Sequence, residues 1–166
     1  MYLLQLGRFT GLLDYFRMDH GNYLTGTIPS QLGMMTQITT HFTIGYASYN
    51  SFTGSIPSEL GQFTAMDWVF RIASSQLSES IPSELGRMTK ITSWFTITYN
   101  DLCGSIPEEV ATLSSQCTLS ITAGNHVGDT SCLQTSALSS LYSSTGGSSW
   151  STTSGWMSLD PCTNSW

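Results

Sequence analysis

Leu24-Thr-Gly-Thr-Ile-Pro-Ser-Gln-Leu-Gly33 returns as Phe52-Thr-Gly-Ser-Ile-Pro-Ser-Glu-Leu-Gly61 and as Leu77-Ser-Glu-Ser-Ile-Pro-Ser-Glu-Leu-Gly86. A fourth, less complete copy reads Leu102-Cys-Gly-Ser-Ile-Pro-Glu-Glu-Val110. The Ile-Pro pairs begin at residues 28, 56, 81 and 106, so the unit recurs every 25 to 28 residues. A period in this range is the mark of coil-on-coil stacking, because one such unit cannot bury its apolar side alone.

Outward from these segments the apolar positions stay in phase. Three residues beyond the Leu of each Leu-Gly come Phe9, Met35, Phe63 and Met88, and six beyond it come Leu12, Ile38, Met66 and Ile91. Ten and twelve beyond it lie Phe16 and Met18, Phe42 and Ile44, Phe70 and Ile72, Phe95 and Ile97. Apolar residues two apart read as a short strand with both side chains on one face. An Asn follows in three copies (Asn22, Asn50, Asn100), and Ser75 takes its place in the other. A fifth turn fits more loosely, through Val110, Leu113 and Leu119-Ser-Ile121.

The pattern resembles the plant-type leucine-rich repeat, L-x-x-L-x-L-x-x-N-x-L-x-G-x-I-P-x-x-L-G, common in secreted and receptor proteins of plants and algae. The resemblance covers about residues 6–132, with Phe and Met at many consensus Leu positions and Glu79 where the third copy should have Gly. It implies an α/β solenoid with a short parallel β-ladder on the concave face and short helical or 3-10 turns on the convex face. In this family the Asn side chain satisfies backbone groups as the chain leaves the strand. Pro followed by Ser-Glu suits the first turn of a convex helix, where a missing N–H is harmless and an acid meets the helix dipole. Met fills gaps between coils of unequal length.

Composition narrows the function. Only 10% of residues are charged, against about a quarter in an average domain, so hydroxyls and amides supply the polarity. A net charge of −6 with five Lys plus Arg excludes a phosphate-neutralising surface, and no nucleic-acid partner is expected. No run of roughly twenty apolar residues provides a membrane span. The opening Met1-Tyr-Leu-Leu-Gln-Leu6 is too short for a signal-peptide core, so an extracellular or cell-surface location follows from the resemblance alone. The four cysteines form no Cys-x-x-Cys pair, and neither a metal site nor a cofactor is expected.

A solenoid needs caps at its ends. Residues 1–132 are expected to form the solenoid and its C-terminal cap turn, with no N-terminal cap ahead of Leu6-Gly7. The stretch Gly124-Asn-His-Val-Gly-Asp-Thr-Ser-Cys132 resembles a C-terminal cap, which makes Cys103–Cys132 the leading disulfide; Cys117 is a free thiol or a competing partner. Residues 133–166, with Gly147, Trp150, Gly155-Trp156 and Asp160-Pro-Cys162, resemble the N-terminal cap of a following array. Both ends cut through such units, so the chain reads as a fragment.

Catalysis has no convincing constellation. His20, His41 and His126 fall at unrelated repeat positions, no Gly-x-Ser-x-Gly turn occurs, and Glu59, Glu84 and Glu109 form a solvated helix-start column. The expected function is non-catalytic binding of a protein or peptide. If Phe and Ile of each strand point inward, their neighbours point outward. The outward set is Tyr15, Arg17 and Asp19; His41, Thr43 and Gly45; Val69, Arg71 and Ala73; Trp94, Thr96 and Thr98. Aromatic and Arg side chains are the usual anchors of interfaces. Cell-wall carbohydrate binding through Tyr15 and Trp94 is the alternative. Ice binding through Thr43, Thr96 and Thr98 is a weaker one, since Arg17, Arg71 and Asp19 interrupt the array.

Overall fold

The computed structural model describes residues 14–19, 22–45 and 50–128. Residues 1–13 of the expected solenoid, the end of its expected C-terminal cap turn with Cys132, and the expected partial cap at 133–166 with Cys162 lie outside the described residues.

Two parallel sheets run the length of the described solenoid. One contains β1 (Tyr15–Met18), β3 (His41–Gly45), β5 (Val69–Ala73), β7 (Trp94–Thr96) and β9 (Thr118–Ser120), hydrogen-bonded in that order. The other contains β2 (Thr25–Thr27), β4 (Ser51–Gly54), β6 (Gln76–Ser80), β8 (Asp101–Gly104) and β10 (His126–Val127). Each coil gives one strand to each sheet, and the first four close with a helical turn. The expected ladder is therefore present, with the loosely fitting fifth turn as its last rung. The second sheet was not expected: β4 and β6 bury a single side chain each, Phe52 and Leu77, β2 and β10 bury none, and β8 buries consecutive residues, so none carries an alternating signal.

The closing turns are 3-10 helices at Ser30–Met34, Ser58–Gln62 and Ser83–Arg87; in the fourth coil α1 (Glu108–Ala111) runs into a 3-10 turn at Thr112–Ser115. Proline stands just before each one. Pro29, Pro57 and Pro82 keep extended ψ values of 130° or 131°. Their carbonyls take the N–H groups of Leu32, Leu60 and Leu85 at 3.1–3.2 Å. Fixed φ and a useful carbonyl, without an N–H to strand, suit Pro to this spot.

The core is one continuous column. Phe16, Phe42, Phe70 and Phe95, register partners on successive strands, stack with centroids 5.2, 5.5 and 5.0 Å apart. Such contacts add about 0.5–1.5 kcal/mol each beyond burial. Ile44, Ile72 and Ile97 lie beside them, and the Leu and Met positions of the convex turns complete the buried set.

Glycine has two distinct tasks. In Leu-Gly, a Cβ on Gly33 or Gly61 would stand 2.2–2.3 Å from the carbonyl oxygen of Glu59 or Glu84 in the next coil. Close approach of coils, rather than a turn, requires these residues. In Leu-x-Gly the demand is conformational: Gly26, Gly54 and Gly104 have φ of 90°, 77° and 77°, and Glu79 holds the same place at φ 70°. A left-handed residue with a Cβ costs about 1–2 kcal/mol.

The Asn ladder is explicit. Asn50 takes the Leu24 N–H at 3.0 Å and donates to the Met18 carbonyl at 2.8 Å. Asn100 takes the Leu77 N–H at 3.3 Å and donates to Ile72, Ile97 and Thr98 carbonyls at 3.1–3.3 Å. Asn125, read from sequence only as part of the cap, does the same one coil later, between Leu102 N and the carbonyls of Ile97 and Ile121. At Ser75 the ladder is broken, since its hydroxyl is buried with no partner among the described residues.

Candidate ligand-binding face

Parallel register turns the outward positions of the first sheet into columns. Tyr15, His41, Val69, Trp94 and Thr118 are successive partners in one column. Arg17, Thr43, Arg71, Thr96 and Ser120 form the next. The structure thus brings most of the sequence-derived set onto one surface, with rungs about 4.8 Å apart.

Three contacts organise that surface. The Tyr15 and His41 rings stack at 4.7 Å with 19° between their planes. The Arg71 guanidinium lies 5.6 Å from the centre of the Trp94 ring, within cation–π range. Arg17 pairs with Asp19, its Nε donating to Oδ2 at 3.1 Å. Tyr15 and Trp94 remain 59% and 48% exposed, so both rings offer free faces.

Some expected contact residues are covered. Thr43 and Val69 are each 3% exposed. Both are short side chains flanked in register by long ones, Thr43 by Arg17 and Arg71, Val69 by His41 and Trp94. Thr98 is buried past the end of β7, where its carbonyl takes the Ser74 N–H and Asn100 Nδ2. Gly45 and Ala73 are buried too, and Thr96 is half-buried. Of the threonines that suggested an ice-binding array, two are therefore withdrawn from solvent. Trp68 escaped the sequence reading because it precedes β5 rather than alternating along it, yet it is 51% exposed at the edge of the same sheet.

Electrostatics single out His41. Burial, and then the charges of Arg17 and Arg71, hold its pKa below the usual 6.5, so the ring is neutral near pH 7. Its Nδ1 is buried with no hydrogen-bond partner among the described residues. The remaining sites are quieter. Cys103 is disulfide-bonded, whereas Cys117 is a half-buried free thiol whose pKa is raised by burial. Glu59 and Glu109 are exposed and Glu84 half-buried, and among the described residues no three His, Cys, Asp or Glu groups gather where a metal could sit. A groove of about 850 Å³ crosses three coils beside the second sheet, lined by Thr27, Ile28, Pro57, Glu59 and Glu79 among others. Among the described residues no helix is long and apolar enough to cross a membrane.

A stack of strand–strand–turn coils with an Asn ladder and a columned open sheet defines a leucine-rich-repeat solenoid. No protein-family model matches the sequence, and a search of curated proteins finds no match. Solved structures do match. The PEPR1–AtPEP1 complex is 33% identical with a TM-score of 0.64, over 75% of this chain and 16% of that one. The Arabidopsis receptor kinase HAESA, solved with the peptide hormone IDA and the co-receptor SERK1, is 31% identical with a TM-score of 0.62, over 75% and 20%. A TDR receptor is 28% identical with a TM-score of 0.61, over 75% and 20%. The chain spans a fifth or less of the length of these relatives. It is a plant-type leucine-rich-repeat protein with the architecture of plant receptor ectodomains.

Proposed function

We propose that the chain is a non-catalytic recognition module of an extracellular leucine-rich-repeat protein, and that it binds a protein or peptide through its concave sheet. The observation that carries this reading is the pair of adjoining columns in which Tyr15–His41 and Arg71–Trp94 stand exposed or half-exposed on a rigid ladder. Rigid aromatic and Arg anchors at the centre of a surface dominate binding energy. The HAESA structure with the peptide hormone IDA supports it at the level of the fold class.

Selection of extended peptides from a displayed random library against the full chain tests the proposal. Trp94→Ala and Arg71→Ala are each expected to weaken a selected peptide by about tenfold or more, a loss typical of interface anchors. Unchanged affinity in both variants would remove the concave face from consideration. A second reading, cell-wall carbohydrate binding, is favoured specifically by the exposed rings of Tyr15, Trp68 and Trp94. Titration with wall polysaccharides should then change tryptophan fluorescence; an unchanged spectrum would dispose of it.

A further inference from the structure

The groove beside the second sheet takes no part in the peptide-binding reading and shares no residue with the concave columns. It encloses about 850 Å³ and crosses three coils, each of which brings the same two features to it. Thr27, Ser55 and Ser80, the residues before each Ile-Pro, are exposed, and Pro29, Pro57 and Pro82 follow two residues later with half-buried rings. A hydroxyl and an apolar ring therefore recur along the groove at the coil spacing of about 4.8 Å. Two carboxylates give it charge. Glu59 stands in the 3-10 turn after Pro57, and Glu79 holds, at φ 70°, the left-handed place that Gly26, Gly54 and Gly104 fill in the other coils. Glu59 accepts the Ser58 hydroxyl at 3.5 Å, and among the described residues neither carboxylate is in an ion pair. No Lys, Arg or His lines the groove. A Cβ is disfavoured in left-handed backbone, so Glu79 brings the fold nothing that Gly would not; what it brings is a charge at the groove.

We propose that this groove is a second binding site, for a short linear oligosaccharide of amino sugars. Its C–H faces rest on the prolines, its hydroxyls meet Thr27, Ser55 and Ser80, and its ammonium groups meet Glu59 and Glu79. Three arguments select this occupant. The rung spacing, about 4.8 Å, is close to the length of one β-linked pyranose residue, so successive sugars meet successive coils. Amino sugars supply the cations that the lining lacks, and an ammonium donates charge-assisted hydrogen bonds to a carboxylate. A peptide lying along the groove would instead run across the strands with no sheet edge to join. Its backbone N–H and C=O groups would each need a separate partner.

Magnitudes follow from exposure. The groove lies within the size range of small-ligand sites, about 300–1,000 Å³, and a thin alkyl polyamine would leave much of it to water. Glu59 and Glu79 are exposed, so each ion pair raises affinity only about two- to fivefold. Added salt screens both pairs and should weaken binding. The remaining affinity comes from the hydroxyls and the proline rings, which do not respond to salt in this way.

Calorimetric titration of the full chain with a β-linked glucosamine tetramer, followed by amide chemical-shift mapping, tests the inference. The tetramer should bind with shifts at residues 25–31, 55–59 and 79–82. Its N-acetylated form, which keeps the ring shape and loses the charge, should bind about tenfold more weakly. Glu59→Gln and Glu79→Gln should each cost about two- to fivefold in affinity. Glu79→Gly should cost as much, and because it removes a left-handed side chain the loss cannot be assigned to a damaged fold. Trp94→Ala on the concave face should change nothing. Equal affinity for the two tetramers, shifts confined to the concave strands, or no binding at all would overturn the inference. Tetralysine bound as tightly at the same residues would overturn it too, by giving the groove to basic peptides. None of these outcomes bears on the concave face, whose peptide-binding reading stands or falls on its own library.

Discussion

The broken rung at Ser75 offers a quantitative handle on the ladder. Asn50, Asn100 and Asn125 each link a strand carbonyl of the preceding coil to an N–H at the start of its Leu-x-Gly segment. By the same geometry an Asn at 75 would reach the Ile44 carbonyl and the Phe52 N–H. Ser75→Asn should therefore add two side-chain-to-backbone hydrogen bonds, each worth about 1 kcal/mol net, and remove one orphaned buried hydroxyl. Ordering and fitting the larger side chain costs up to about 1 kcal/mol. The expected gain is about 1–2 kcal/mol, or a Tm rise of roughly 3–6 °C. Asn100→Ser is the mirror experiment and should cost about 2–4 kcal/mol, because it strips a buried side chain that makes four bonds. Urea unfolding monitored by circular dichroism, with m compared between variants, measures both. A Ser75→Asn protein no more stable than wild type would refute the reasoning that side-chain bridges hold the coils in register.

Other substitutions probe the two glycine tasks and the titrating groups. Glu79→Gly should stabilise by about 1 kcal/mol in chemical denaturation, since it relieves a left-handed Cβ at the cost of some chain entropy. Gly61→Ala should destabilise by about 2–3 kcal/mol, because its Cβ would meet main chain rather than a yielding side chain. Since the folded-state pKa of His41 is depressed, the unfolded chain binds its proton first, and stability should fall as pH drops from about 6.5 towards that lower value. His41→Gln should lose this component, which a comparison of melting curves would reveal. We propose Cys132 as the partner of Cys103; non-reducing peptide mapping checks it, and the roughly 30-residue loop corresponds to about 3–4 kcal/mol lost on reduction. Cys117, protonated and half-buried, should alkylate slowly at neutral pH.

The first sheet was legible because Phe-x-Ile buries both apolar residues on one face, and the Ile-Pro repeat fixed its phase. The second sheet was not, because strands such as Asp101–Gly104 expose some residues and place others against the next coil, leaving no alternation to read. Asn125 was hidden by its setting: it stands four residues after Ile121, in a stretch that looked like a cap. The candidate face was legible in outline, since alternation put Tyr15, Arg17, His41, Arg71 and Trp94 outward. Burial of Thr43 and Val69 was not, because it depends on what stands one rung away, a cross-strand fact absent from any single strand. Trp68 lies outside the alternation altogether. The exchange of Gly for Glu79 was visible, but its cost emerged only with the left-handed backbone.

The central claim is that the concave columns, and not the groove beside the second sheet, receive the peptide. Amide chemical-shift mapping of a selected peptide on the isotopically labelled chain tests it most directly. The account predicts shifts concentrated at Tyr15–Met18, His41–Gly45, Val69–Ala73 and Trp94–Thr96. A footprint on Thr25–Thr27, Ser55–Glu59 and Glu79–Pro82 would contradict it.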